Sequence, residues 1–223
     1  MAESDDALYD RAVAAFRSGA DDQAASLAEE LVRDASAAGR LPGKVDGLCM
    51  MARVALRRGE YQRVAELAGE ARDLARSGNE RRLERIPLHM QAAAARMRGD
   101  LGPARELYLE SIELNRQLGD DRMVAGEYRN LAYVELHDGH VARARDLFSS
   151  SAALARACGY DALEPYLLLD SATLALEAGD AASARQLLKQ TSAGFAAFGQ
   201  VPDPDDAAEL ERLRGRLSMS PGA

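Results

Sequence analysis

The chain has 223 residues, enough for one large domain or two small ones. Apolar residues make up 47% and charged residues 29%, which excludes a disordered chain. A net charge of −8 argues against general affinity for nucleic acid or an anionic membrane surface.

The N-terminal run MAESDDALYD has neither the basic nor the apolar region of a signal peptide, and no apolar run approaches the roughly 20 residues of a membrane span. Cys49 and Cys158 make neither a disulfide framework nor a metal pair, so a reducing, cytoplasmic setting without metal or cofactor is expected. The 44 alanines, 26 arginines and absence of Trp favour helix over sheet. Arg in place of Lys, with abundant Ala, also suits a GC-rich bacterial genome.

Glycines then recur every 40 residues, at Gly19, Gly59, Gly99, Gly139 and Gly179. A second series follows 20 later, at Gly39, Gly119, Gly159 and Gly199, with Gly78 one residue early. Seven residues before each first glycine stands Ala12, Ala52, Ala92, Ala132 or Ala172. Five after it stands Ala24, Val64, Ala104, Ala144 or Ala184. Leucine or tyrosine holds the position eleven before, and leucine the position eight after. Such spacings of three and four mark one face of a helix. Glycine closes each helix in the left-handed conformation, and acids such as Asp21, Asp100 and Asp180 open the next. The period therefore predicts ten helices of ~16–18 residues, each ~24–27 Å long. They pair as five repeats over about 1–40, 41–80, 81–120, 121–160 and 161–200, each burying its apolar face against its neighbour. Residues 201–223 read as a capping helix and tail. Pro204 follows an N-cap at Asp203, acids lead, arginines trail, and Leu210, Leu213 and Leu217 form a narrow stripe.

A small residue, Gly-[Asp/Glu] seven later, and a small residue five beyond: this pattern resembles the tetratricopeptide repeat (TPR). Tyr108 and Phe148 match its aromatic position, and Ala71, Ser111 and Ser151 its next small position. At 40 residues the repeat exceeds the usual length of about 34. It looks like the repeats of kinesin light chains and of large bacterial LuxR-type regulators; HEAT and armadillo repeats are also near 40. The TPR resemblance implies an all-α, right-handed solenoid, with the first helix of each pair lining a concave groove.

In that arrangement the groove columns carry Tyr9, Cys49, His89, Arg129 and Leu169; Val13, Arg53, Ala93, Tyr133 and Thr173; Phe16, Leu56, Arg96, Leu136 and Leu176; and Arg17, Arg57, Met97, His137 and Glu177. A basic middle emerges from Arg53, Arg57, Arg96 and Arg129, with His89, Asn130, Tyr133 and His137 as further ligand candidates. Arginine's planar fork suits carboxylates, so an acidic or C-terminal peptide segment is the expected ligand. The competing reading pairs these arginines with neighbouring Asp or Glu. Only Asn130, beside Arg129, resembles the carboxylate clamp of some TPR domains.

The run His137-Asp138-Gly139-His140 sits at a repeat turn, which accounts for Asp138 and Gly139 without a metal. Glu135 occupies a position that is alanine in the other repeats, and a carboxylate there is unexpected. No phosphate loop, nucleophile elbow or zincin motif is found. Leu188, Phe195 and Phe198 in the fifth repeat await a cover, either the terminal helix or a second copy of the chain. The leading expectation is a non-catalytic protein- or peptide-binding scaffold or adaptor. The alternatives are a peptide- or small-ligand-sensing module of a bacterial regulatory system, and an enzyme or enzyme accessory.

Overall fold

The computed structural model describes residues 4–219; the start of the first predicted repeat (1–3) and the end of the predicted tail (220–223) lie outside them. The described residues form eleven helices: α1 (Asp5–Arg17), α2 (Asp21–Ala37), α3 (Leu41–Arg57), α4 (Tyr61–Ser77), α5 (Arg85–Arg98), α6 (Leu101–Gln117), α7 (Asp121–His137), α8 (Val141–Ala157), α9 (Glu164–Glu177), α10 (Ala181–Ala197) and α11 (Pro204–Ser218). None is long and apolar enough to cross a membrane.

The turns explain the period. After α1, Gly19 takes φ 79°, its N–H bonds the Phe16 carbonyl at 3.1 Å, and the Ala20 N–H bonds the Ala15 carbonyl at 2.9 Å. This is a Schellman closure, which needs a left-handed residue just past the helix end. The same six-to-one bond returns from Glu60 to Ala55, Asp100 to Ala95, His140 to Glu135 and Asp180 to Ala175. Turns of three residues, two before α6, then send α2, α4, α6, α8 and α10 back along their partners.

Two local expectations are corrected. Gly78 keeps a right-handed backbone, and Asn79 fills the left-handed place with φ 55°, a position asparagine tolerates. Of the predicted capping acids, Asp180 accepts from the Ser183 N–H at 2.9 Å. Asp100 instead takes Arg98 Nε at 2.9 Å, and Asp21 is already the first residue of α2. Asp203 stands at the N-cap of α11 but makes no capping bond through its side chain. Short 3-10 turns at Arg81–Glu84 and Asp161–Leu163 precede α5 and α9, and periodicity did not foretell them.

The chain divides into two compact units, up to Leu118 and from Gly119. In the first, Leu8, Ala12, Ala24, Leu27, Ala28 and Leu31 pack with Met50 and Val54 of α3. Val45, Leu48, Ala52, Val64, Leu67 and Ala68 pack with Met90 and Ala94 of α5. In the second, Tyr133 and Phe148 join α7 to α8, and Leu169, Leu176, Leu188 and Phe195 join α9 and α10 to Leu210, Leu213 and Leu217 of α11. All ten residues of the two small-residue columns are 0% exposed. A larger side chain there would hold paired backbones apart.

Candidate functional site

In the first unit the first helices stack on one another, α1 on α3 and α3 on α5. Their shared face carries half-buried Tyr9, Val13, Phe16, Arg53, Leu56 and His89. The four predicted basic or imidazole residues of this unit behave differently. Arg57 is engaged inside the fold: its Nη1 donates to Asp21 Oδ1 at 2.7 Å and to the Phe16 carbonyl at 2.8 Å, and its guanidinium lies 3.4 Å over the Phe16 ring. Arg96 is buried at 8% exposure. His89 is half-buried, edge-on to Tyr108 with ring centroids 6.4 Å apart.

Arg53 is half-buried and makes no hydrogen bond or ion pair among the described residues. Its charge acts on Tyr9, Asp46 and Cys49 without bonding them. Burial raises the Asp46 carboxyl, against the pull of Arg53, and Asp6 and Asp5 raise it further. Burial also pushes the Cys49 thiol up to about 12, so it stays protonated and unreactive at neutral pH. Beside these groups is an open cavity of about 500 Å³ lined by Asp5, Asp6, Tyr9, Arg40 and Asp46, in which Arg40 is held by Asp5 at 2.8 Å. The face is therefore polarised, with acids toward the start of α3 and an available guanidinium two turns along it.

In the second unit the equivalent face is covered. Arg129 is 4% exposed: Nε donates to Asp170 Oδ1 at 2.8 Å, and Nη2 donates to Asp206 of α11. The Tyr133 hydroxyl donates to the same Asp170 oxygen at 2.8 Å, and its ring sits edge-on to Phe148 at 5.0 Å. Burial opposes the charge on Arg129, but Asp170 and Asp206 outweigh it and raise its pKa well above the usual arginine range. Burial pushes Asp170 up to about 7, against Arg129 and the Tyr133 hydrogen bond, with Asp206 adding to the rise. One step along α9, Thr173 donates to Glu209 of α11 at 2.8 Å. Arg212 grips Glu209 at 2.7 Å, and Arg216 reaches Glu177. Four groove positions of the fifth repeat, Leu169, Thr173, Leu176 and Glu177, thus meet α11 through its apolar cluster or its polar bonds.

For Arg57 and Arg129 the pairing alternative describes the structure: an arginine placed among acids of its own chain has its fork already filled. Asn130 is buried and His137 is exposed, with its ring 6.4 Å from Tyr133. Glu135 is explained by the turn. It lies at the helix position whose carbonyl receives the His140 N–H, and its carboxylate meets His140 Nδ1 at 2.9 Å. The contact between these two positions is usually apolar in a Schellman closure, and here it is polar. The terminal helix covers Leu188 and Phe195 and leaves Phe198 47% exposed.

Reading the sequence alone missed the inward roles of Asp170, Asp206 and Glu209. The signal is in the sequence: positions 206, 209, 210, 213 and 217 share one face of α11, which turns both acids inward with the leucines.

No family model and no curated protein matches the chain. Solved structures do. A Rap protein complexed with competence and sporulation factor matches with a TM-score of 0.74 at 16% identity. That match covers 93% of this chain, which spans 56% of the Rap chain. A putative kinesin light chain of Podosopora anserina, described as nearly identical TPR-like repeats, matches with a TM-score of 0.61 at 17% identity, covering 87% and 96%. BtubC (BKLC) from P. vanneervenii gives 0.60 at 17% identity, covering 97% and 94%. The fold is therefore the TPR-like α-solenoid expected from the 40-residue period.

Proposed function

We propose that the chain is a non-catalytic scaffold or adaptor that binds a protein or peptide segment along the first helices of its first unit, with an acidic group of that segment on Arg53. The observation that carries this reading is Arg53 itself. A half-buried guanidinium with no hydrogen-bond or ion-pair partner among the described residues, beside half-buried Tyr9, Leu56 and His89, offers a two-pronged donor next to apolar contact area. Asp46 nearby favours a ligand whose acid is followed by a neutral or basic group, rather than a run of acids. Stacked helix pairs present such extended surfaces in general. The burial of Cys49 and the absence of a nucleophile motif fit a surface that holds rather than transforms.

A second reading, a sensing module in a regulatory system, is favoured by the likeness to the Rap structure solved with competence and sporulation factor bound. Both readings place the chain in a reducing, cytoplasmic setting and use the same face.

The test is affinity capture from the native host's lysate with wild-type chain and with Arg53→Glu, at low and moderate salt. A captured protein that is lost on charge reversal and weakened by salt is the expected result. A protein retained equally by both would overturn the role of Arg53. Loss of all protein partners, with a small molecule retained by wild type alone, would select the sensor. Arg96 is not a suitable second reversal, because a buried charge swap there tests folding rather than capture.

A further inference from the structure

The second unit shows what its inner face accepts. Seated on it is a helix with acids at 206 and 209 and leucines at 210, 213 and 217, the spacing of one helical face. Asp206 meets Arg129, Glu209 meets Thr173, and the leucines close over Leu169, Leu176, Leu188 and Phe195. We infer that this face is a second binding site, for an acidic amphipathic helix of a partner, and that α11 fills it in cis. The inference rests on the reading of the inner face as a peptide-binding surface and adds the class of ligand and the unit that takes it.

Two features separate α11 from an ordinary cap. First, a purely structural cap does better with leucine than with a buried carboxylate, since removing charge from water is unfavourable unless fully compensated. Yet Asp206 and Glu209 are 4% and 7% exposed. Second, the charge of Arg129 on the receiving face is paired without them. Arg129 already holds Asp170, and Asp170 already accepts from Tyr133, so withdrawing α11 leaves no unpaired buried charge on α7 or α9. The excess carboxylate in the cluster belongs to the incoming helix. Gly215 inside α11 further weakens the helix as an independent element. A partner helix with two acids three residues apart followed by a leucine stripe would make the same bonds.

The probe is a fluorescently labelled synthetic peptide of residues 203–219, added to the full chain and read by anisotropy. Wild type holds its own helix and should bind the peptide weakly. Asp206→Asn/Glu209→Gln, whose own helix has lost both acids, should bind it about ten-fold tighter or more, and adding Arg129→Gln should abolish the gain. Equal binding to wild type and the double variant, at equal helicity, would overturn the site. If the double variant does not fold, hydrogen exchange on the wild-type chain decides. Amides of α11 exchanging at least about ten-fold faster than those of α9 support an exchangeable occupant. Amides of α11 exchanging only with α9 and α10 make it an integral cap and overturn the inference. Every readout here involves residues of the second unit and a defined peptide. Failure of Arg53-dependent capture leaves these readouts standing, and the converse also holds.

Discussion

Gly47 and Gly126 both lie inside helices, yet space around them differs. A Cβ on Gly47 would stand 2.9 Å from the Ala28 carbonyl of α2 and 2.6 Å from Val32 Cγ2, so α2 and α3 would have to separate. Gly126 in α7 has nothing within 4 Å. Gly47→Ala is therefore expected to destabilise by about 1–3 kcal/mol through overpacking. Gly126→Ala is expected to stabilise by about 0.5–1 kcal/mol through helix propensity. Urea midpoints of the two variants check both signs. Asp170 supplies the pH dependence. Burial raises it from 3.8 to about 7, so the native state holds a proton that the unfolded chain gives up. Its contribution to stability is full below pH about 4 and is lost as pH rises through about 7. Melting temperature should fall over that window, and Asp170→Asn, a neutral stand-in for the protonated acid, should flatten the fall. An unchanged slope in Asp170→Asn would assign the dependence elsewhere. Small-residue columns and closing glycines were legible in the sequence because each position has one steric reason repeated five times. Asn79, Glu135 and Asp170 were not, because each depends on one three-dimensional neighbour.

At the scale of the element, helix boundaries followed from the Schellman turns, and α11 was expected as a cap from its leucine stripe and charge order. Its charged contacts were not legible. Periodicity names the face of a helix but not the residue opposite it, and Arg129 and Asp206 are 77 positions apart. The same blindness let Arg57 and Arg129 pass as ligand groups. Their acids lie 36, 41 and 77 positions away, at Asp21, Asp170 and Asp206. Arg129→Met should destabilise the second unit by about 3–5 kcal/mol at neutral pH, since it strands two buried carboxylates. The loss should shrink at pH 5, where Asp170 can take up a proton. Circular dichroism melts at the two pH values give the comparison.

For the whole molecule, forty-residue spacing alone led to the fold, because a repeat that cannot bury its own face must stack. Function was legible only as far as the face that would bind. The residue left available on it, Arg53, was among eight candidates and stands apart only once the partners of Arg57 and Arg129 are known. The most direct test of that face is site-specific photocrosslinking. A benzophenone side chain is placed at Leu56, beside Arg53 on the inner face of the first unit, or at Leu109, 51% exposed on α6. Each chain is then irradiated with the captured partner. A crosslink from position 56 that disappears with Arg53→Glu, and none from position 109, is the expected result. A crosslink from 109 alone would put binding on the second helices and contradict it.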